Sequence, residues 1–307
     1  MQDNSYAIKL VDVYKSFKKN NVLKGITLEV NQGEIYGFLG PNGAGKTTTI
    51  RVLLDIIRAD KGYVEFFGES NQKIRKTHSQ IGYLSGDMVM DKDLTGKQYL
   101  KFVNSRYRHK SMANAIVLSD ILKVNLATKI GKLSTGNKQK IGLISALMHN
   151  PKLLILDEPS QGFDPLIQQI FKKLIHQFRN KGGTVFMSSH ILEEVQDLCD
   201  RVCFIKDGNI IGIKSVKEIT SSSRKKITIK ADSKDIEKIK YQHKALPGLN
   251  FISEEQESIE LGFSGDVNKL LDYLSKIKIK DIKITEPALE EVFLDIYKAK
   301  ETNKEII

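Results

Sequence analysis

In the larger, N-terminal part of the chain, apolar residues fall into short, strand-length runs separated by segments of helical spacing. Several runs are apolar almost throughout, which is typical of buried strands in a parallel sheet. These runs are residues 35–39, 153–156, 184–187 and 202–205. Helical spacing follows in residues 166–180 and 191–198. Strands that alternate with helices in this way predict an α/β domain.

Weaker patterns predict further elements earlier in the chain. Residues 7–13 and 26–30 alternate apolar and polar positions, as half-buried strands do. Residues 64–68 have the pattern of a strand that ends in a turn, and residues 81–84 form a short apolar run. From residue 94 to about residue 126 the apolar spacing is helical and charged residues are abundant. We therefore expect additional strands first and a mainly helical segment after them.

The pattern changes at the polar sequence Thr-Ser-Ser-Ser, residues 220–223. Beyond it the sequence predicts short strands at 226–230, 258–263 and 281–285 and helices at 267–277 and 288–297. We therefore expect two domains, a large one at residues 1–220 and a small α+β domain at residues 221–307.

The net charge of +11 is concentrated rather than spread evenly. Between residues 101 and 140 there are nine lysines and arginines but only one acidic residue, Asp120. Such a segment fits an anionic membrane surface, a solvated face or a nucleic acid. The sequence contains no aromatic-interleaved or base-reading motif, so we expect no nucleic-acid partner.

The sequence that follows the 35–39 run indicates a phosphate-binding loop. It reads Gly40, Pro41, Asn42, Gly43, Ala44, Gly45, Lys46, Thr47 and Thr48. Glycines let the backbone curl and point several N–H groups at a polyphosphate, and a predicted helix at 48–58 would add its positive end. Lys46 would supply charge to the terminal phosphates, and the Thr47 hydroxyl could bind Mg²⁺. The ligand class is therefore a nucleotide, and ATP with Mg²⁺ is the expected pair.

Two carboxylates follow the apolar run at 153–156. Asp157 lies where open α/β sheets place their ligand chemistry, and it could hold Mg²⁺ through a bound water. Glu158 follows directly and could activate a water molecule beside the terminal phosphate. An acidic pair can also be a simple polar strand end, but the phosphate-binding loop favours the catalytic interpretation.

A second helix start has the residues of an anion site. Ser134 and Gly136 precede a helix that we expect at residues 138–149, although Ser134 could also be an ordinary helix cap. A chain that binds one ATP needs only one helix start to bind its phosphates. The simplest explanation is that the second start serves a nucleotide held by another chain. His190, at the end of the 184–187 run, could orient the attacking water, although a lone histidine there is often structural.

Taken together, these motifs resemble those of the ATP-binding subunit of ABC transporters, from about residue 8 to residue 213. The resemblance implies a P-loop ATPase fold with an antiparallel β subdomain and a helical subdomain at about residues 88–140. It also implies that residues 40–48 are the Walker A motif, Asp157 and Glu158 the Walker B motif with its catalytic carboxylate, and residues 133–139 the signature motif. His190 would be the switch histidine and residues 160–164 the D-loop. Phe17 lies where the family stacks an aromatic ring on adenine, although it could be a core residue.

The chain departs from the family pattern at three places. Gly86 lies where glutamine usually helps to bind Mg²⁺, so that contact is lost or passes to Asp87. Thr135 and Asn137 replace the commoner glycine and glutamine of the signature motif, and both keep hydrogen-bonding capacity. Phe163 replaces the usual leucine of the D-loop.

The resemblance also implies partners and a location. Residues 286–294 and 94–100 resemble ATPases of bacterial multidrug, antibiotic and bacteriocin exporters. We therefore expect an ATPase motor that forms a homodimer or heterodimer with a second ABC ATPase. Its further partner would be a separately encoded permease at the cytoplasmic face of the cell membrane. The alternative is a soluble ABC-type ATPase that acts on ribosomes or DNA, and a regulatory module that binds ATP without hydrolysing it is disfavoured by Glu158 and His190.

Overall fold

The computed structural model describes residues 6–73, 77–107, 111–221, 224–242, 246–255 and 257–285. The chain divides into two compact units, Met1–Ser215 and Val216–Ile307. The division lies at the end of a strand, shortly before the polar segment at which the sequence pattern changes.

The first unit contains strands in two sheets, with helices between them. In chain order its elements are β1 (Tyr6–Phe17), β2 (Asn20–Asn31), β3 (Ile35–Leu39), α1 (Lys46–Leu53), β4 (Lys61–Phe66), β5 (Glu69–Ser70), β6 (Ile81–Leu84), α2 (Gly96–Asn104), α3 (Met112–Ile121), α4 (Thr135–Leu147), β7 (Leu153–Asp157), α5 (Pro165–Asn180), β8 (Thr184–Ser189), α6 (Leu192–Leu198), β9 (Arg201–Lys206) and β10 (Asn209–Ser215). Short 3₁₀ turns at 71–73, 78–80 and 130–132 complete the set for the described part of the unit.

A six-stranded sheet, in the order β10-β9-β3-β8-β7-β6, forms the centre of this unit. All neighbours are parallel except β10, which pairs antiparallel with β9. Every residue of β3, β7 and β8 is buried, which explains why these strands have continuous apolar sequences. The register aligns Leu39 with Ser189 and Asp157 with Ser188. The segments that follow these three strands therefore leave the sheet at the same edge.

The second sheet is antiparallel, in the order β2-β1-β4-β5. Its buried side chains alternate along the strands, for example Ile8 and Leu10 on β1 and Val64 and Phe66 on β4. These residues belong to the same buried cluster as Tyr36 of the parallel sheet. The α/β architecture and the antiparallel subdomain predicted from the sequence are thus present.

The segment with helical spacing after residue 94 forms two separate helices. Helix α2 begins with a capping box, in which the Thr95 hydroxyl accepts from the Gln98 N–H and the Gln98 side chain accepts from the Thr95 N–H. Helix α3 follows, and the two pack against α4 and against each other. None of the helices in the described residues has the length and hydropathy that a membrane span requires.

The boundaries of helices α1 and α4 differ from the sequence-based expectation. Helix α1 begins at Lys46, directly after the left-handed Gly45, and ends at Leu53 rather than at residue 58. Asp55 has a φ of 52°, which a continuing helix cannot accommodate. Helix α4 begins at Thr135 rather than at residue 138, because Ser134 is its N-cap and accepts a hydrogen bond from the Asn137 N–H.

The second unit has the strand–helix–strand–strand–helix–strand order of ferredoxin-like folds. Its elements are α7 (Val216–Ser221), β11 (Arg224–Ala231), α8 (Ser233–Gln242), β12 (Leu249–Glu255), β13 (Ser258–Ser264), α9 (Val267–Leu274) and β14 (Ile279–Thr285). The sheet is antiparallel in the order β12-β13-β11-β14. Alternate residues of β11 and β13 enter its buried core, together with Ile236 of α8 and Leu270 of α9. The helix predicted at residues 288–297 lies outside the described residues.

Candidate active site

The predicted phosphate-binding loop, residues 40–45, connects the end of β3 to the start of α1. Gly43 and Gly45 have φ values of 81° and 108°, which residues with a side chain rarely adopt. A Cβ on Gly40 would lie 2.3 Å from the carbonyl oxygen of Ile205, so no side chain fits there. These glycines hold the loop in a tight curl in front of the N-terminus of α1.

Lys46 is the first residue of α1, and its ammonium group reaches back across the loop. The Nζ atom donates to the carbonyl oxygens of Gly40 at 2.7 Å and Pro41 at 3.1 Å. The side chain is only 5% exposed. The charge is therefore fixed inside the curl of the loop, where a phosphate chain would be cradled.

The turn between β9 and β10 supports the phosphate-binding loop from outside. The Gly208 N–H donates to the carbonyl oxygen of Ala44 at 3.0 Å, and the Gly208 carbonyl accepts from the Lys24 N–H at 2.9 Å. Asp207 and Gly208 both have positive φ, which the tight turn requires. The phosphate-binding loop is thus held by the β9–β10 hairpin, a contact that the sequence pattern did not predict.

Asp157 and Glu158 lie where the sequence predicted them, at the end of β7. Asp157 is buried, and one of its carboxylate oxygens accepts a hydrogen bond from the Ser188 hydroxyl. The Glu158 N–H donates to the Ser188 backbone oxygen at 3.3 Å and to its hydroxyl oxygen at 3.1 Å. Glu158 itself has a φ of 48°, the left-handed conformation that non-glycine residues seldom adopt. Ser188 therefore holds both acidic residues of this edge.

Lys46 and His190, which were predicted from separate motifs, both contact the Glu158 carboxylate. Lys46 Nζ lies 3.4 Å from Oε1, and His190 Nδ1 lies 3.2 Å from Oε2. The Glu158 side chain is 21% exposed and that of His190 45% exposed, so the cluster is open on one side. A carboxylate with a fixed cation on one oxygen and an imidazole on the other can orient and deprotonate a water molecule.

The second helix start lies apart from this cluster. Ser134 caps α4, with Gly136 and Asn137 in the first turn, and Ser134 is exposed. In the described part of the chain, no hydrogen bond or ion pair joins these three residues to Lys46, Glu158 or His190. The start of α4 therefore has an exposed N-cap, Ser134, and an exposed first residue, Thr135.

Phe17 lies at the end of β1, and 46% of its side chain is exposed. The ammonium group of Lys15 lies 5.6 Å from the ring centre and is paired with Asp60 at 2.7 Å. Asp60 also accepts a hydrogen bond from the Ser16 N–H at 2.6 Å. An exposed ring held in this way suits stacking better than a place in the core.

The residues predicted to bind a metal ion differ in exposure: Asp157 is buried, Thr47 is half-buried and Asp87 is exposed. Thr47 lies half-buried in the first turn of α1, which packs against β7 and so against the strand that ends in Asp157. The Asp87 carboxylate is largely exposed and lies 3.8 Å from Arg51. A Cβ on Gly86 would lie 3.3 Å from the backbone oxygen and 3.6 Å from a carboxylate oxygen of Asp157. A longer side chain at position 86 would thus lie beside Asp157.

Three further residues surround the cluster, and sequence reasoning missed them. They are Ser188, Gln139 and Glu194. Gln139 donates to the backbone oxygens of Glu158 and Pro159, and the Glu194 carboxylate accepts from the Ser189 hydroxyl at 2.7 Å. Burial raises the pKa of the Glu194 carboxyl above its ordinary value, against the effect of hydrogen bonds from Ser160 and Ser189. No local sequence signal marks Ser188 or Glu194. Gln139 ends the predicted signature motif, but its contact with Glu158, like the contacts of the other two residues, depends on which segments become neighbours.

Comparison with known proteins shows which family the chain resembles. Residues 23–161 match the family model described as ABC transporter. The bacitracin transport ATP-binding protein BcrA of Bacillus licheniformis is 34% identical over 95% of this chain and 97% of its own length. The lantibiotic transport ATP-binding protein SrtF of Streptococcus pyogenes is 32% identical over 66% of this chain and 89% of its own length.

A solved structure described as the ATP binding subunit of an ABC transporter superposes with a TM-score of 0.64. It is 26% identical and covers 69% of this chain and 91% of its own. The predicted fold class and enzyme class are confirmed, and the transport relatives favour the main prediction over a ribosome- or DNA-directed ATPase. The chain belongs to the ABC transporter family, as an ATP-binding, ATP-hydrolysing subunit.

Proposed function

We propose that the chain hydrolyses Mg-ATP at the cluster of Lys46, Glu158 and His190 and thereby drives a bacterial exporter. The observation that carries this proposal is that Lys46 and His190, from two distant sequence motifs, both contact the carboxylate of Glu158, which belongs to a third motif. Together they supply a cation for the phosphates, a base for the water and a group that orients the base.

Each residue has a distinct role in this scheme. Glu158 accepts a proton from the attacking water, and His190 holds the second carboxylate oxygen so that the first faces the water. Lys46 and the N–H groups at the start of α1 stabilise the charge on the phosphates, with Thr48 in the first turn. The Phe17 ring stacks on the adenine ring of the bound ATP. The water is therefore positioned by groups that need no rearrangement during the reaction.

Thr47 and Asp157 are the residues we assign to Mg²⁺. Their hydroxyl and carboxylate oxygens are the hard donors that Mg²⁺ prefers. No group of three or more histidine, cysteine or acidic residues could hold a metal in the described residues, which fits an ion bound chiefly by phosphates and water. When bound, Mg²⁺ would neutralise phosphate charge. Asp87 lies too exposed for us to assign it to the ion.

A second ATPase chain would complete each pocket. The start of α4, with Ser134, Gly136 and Asn137, is exposed at Ser134 and has the backbone N–H groups and hydroxyl that a phosphate needs. We place it against the triphosphate held by the facing chain in a head-to-tail homodimer or heterodimer. This arrangement gives a use to both phosphate-binding helix starts of the chain.

The relatives and the charge support the proposed membrane partner and the proposed direction of transport. Relatives named for bacitracin and lantibiotic transport support an exporter that carries antibiotic-like cargo through a separate permease. Exposed basic residues between positions 101 and 140, among them Lys101, Arg106 and Lys129, would face the anionic cytoplasmic surface of the membrane. We expect no nucleic-acid partner.

If a polytopic membrane protein is encoded beside this gene, co-expression with that protein tests the proposal. We expect the chain to enter the membrane fraction only when that protein is present, and the complex to release phosphate from ATP. Recovery of the chain with ribosomal RNA or DNA, and without any membrane fraction, would contradict the proposal and favour the alternative.

A further inference from the structure

Helix α4 is fastened to the segment that carries the hydrolytic carboxylate of the same chain. Gln139 lies one turn into α4 and is 4% exposed. Its Nε2 atom lies 3.3 Å from the backbone oxygen of Glu158 and 3.4 Å from that of Pro159. One buried amide group therefore reaches two consecutive carbonyl groups of the Walker B segment.

The backbone of Glu158 is held in a strained conformation from both sides. Its φ of 48° is unfavourable for a residue with a side chain. Its N–H group is bonded to Ser188 of β8, and its carbonyl group accepts from the Gln139 side chain of α4 and from the Gln161 N–H at 3.3 Å. Such a conformation persists only where the surroundings fix it, and Gln139 is one of three residues, with Ser188 and Gln161, that fix it here.

A second contact joins α4 to the same segment. A Cβ on Gly136 would lie 2.3 Å from the backbone oxygen of Gly162, so the two backbones pack without an intervening side chain. Gly162 has a φ of 78°. The start of α4 and residues 158–162 therefore form a closely packed unit, with Gln139 as its hydrogen-bonded link.

We propose that Gln139 is a positioning residue that couples the two half-sites carried by one chain. A phosphate bound at the Ser134 end of α4 belongs to the facing chain's nucleotide, whereas Glu158 acts on the chain's own nucleotide. Through Gln139, phosphate contact at the first site holds Glu158 in its working conformation at the second. This inference rests on the head-to-tail dimer of the proposed function.

A Gln139→Met variant removes the two hydrogen bonds while keeping the length of the side chain and a good helix former. Gln169→Met makes the same change at an exposed position of α5 and is the matched control. We expect Gln139→Met to lower kcat roughly tenfold, about 1.4 kcal/mol of transition-state stabilisation, with the KM for ATP close to wild type. An unchanged kcat, or a fall that only follows a loss of stability, would overturn the proposal.

A double-mutant cycle with Glu158→Gln separates positioning from a purely structural role. If Gln139 acts through the carboxylate, Gln139→Met should change the residual rate of the Glu158→Gln variant by less than about twofold. A full tenfold loss in that background would show that the two residues act independently and would overturn the proposal.

The coupling itself is measured by the dependence of the rate on ATP concentration. We expect a Hill coefficient above one for the wild type and for Gln169→Met, and a value near one for Gln139→Met. A Hill coefficient that Gln139→Met leaves unchanged would contradict the coupling. A wild type that hydrolyses ATP without pairing of chains would instead contradict the proposed dimer, so the two failures are distinguishable.

Discussion

The imidazole Nδ1 of His190 lies 3.2 Å from the Oε2 atom of Glu158. The two residues follow neighbouring strands, and the register that aligns Asp157 with Ser188 brings them to the same height. The Glu158 backbone is tied to Ser188, two residues before the histidine, so the carboxylate and the imidazole are fixed by one strand pair. A change to either side chain should therefore act on the other without disturbing the sheet.

Replacement of Glu158 by glutamine removes the base and keeps the shape of the side chain. We expect hydrolysis to fall by roughly 10²–10⁴-fold, the usual contribution of general base catalysis, while ATP still binds. Phosphate release and nucleotide binding by the purified protein measure the two effects. Glu193→Gln, at an exposed position of α6, is the matched control and should behave like the wild type. Normal turnover by Glu158→Gln would rule out the assigned role.

Lys46→Ala should act on binding as well as on hydrolysis. Loss of a charge-assisted contact of about 1.5–3 kcal/mol predicts a roughly 10–100-fold weaker affinity for ATP. Titration calorimetry with ATP measures the affinity, and Lys214→Ala at an exposed position of β10 controls for loss of surface charge. Equal affinities of the Lys46→Ala and Lys214→Ala variants would show that the lysine does not contact the phosphates.

Phe17 tests the assignment of the adenine site. Phe17→Ala should raise the dissociation constant for ATP about fivefold, because ring stacking contributes about 1 kcal/mol, and Phe17→Tyr should retain wild-type affinity. The kcat at saturating ATP should not change. If Phe17→Ala binds ATP as tightly as Phe17→Tyr does, the ring has no part in nucleotide binding.

The buried carboxyl of Glu194 should make stability depend on pH. Because burial raises its pKa in the folded protein, its contribution to stability is complete below the unfolded value of 4.5 and declines as the pH rises through the folded value. Glu194→Gln is uncharged throughout, so its free energy of unfolding should exceed that of the wild type at neutral pH. Urea unfolding at several pH values measures the difference.

That difference in unfolding free energy should shrink as the pH falls towards 4.5. The exposed Glu193→Gln variant should show no comparable trend. A Glu194→Gln variant less stable than the wild type at pH 8, by a margin that does not narrow on acidification, would contradict the assigned burial effect.

The sequence predicted the parts of the site that depend on local structure. A loop rich in glycine between a buried strand and a helix has few alternatives, so Gly40 to Lys46 could be placed without the fold. The same holds for Asp157 and Glu158, which follow a continuous apolar strand. The Ser134 cap was recognised, but α4 begins three residues earlier than the apolar spacing indicated, because the cap rather than the apolar spacing sets the first turn.

Contacts between distant segments could not be predicted in this way. Ser188 meets Asp157 only because β8 lies beside β7, and Gln139 meets Glu158 only because α4 packs against the end of β7. The strand β10 was missed because all but one of its residues are of intermediate exposure, so no clear alternation marks it. The local sequence pattern predicts whether a segment is a strand or a helix. The contacts of its side chains depend instead on which segments the fold brings together.

The most direct test of the account is whether the start of α4 faces the nucleotide of a second chain. Asn42→Cys and Thr135→Cys place thiols on the exposed phosphate-binding loop and the exposed start of α4, and the native Cys199 and Cys203 are buried. In a Glu158→Gln background, we expect oxidation to give a linked two-chain product with Mg-ATP and little without it. Asn42→Cys with Gln169→Cys should give none. A pair that never links, or that links equally without ATP, would contradict the shared pocket.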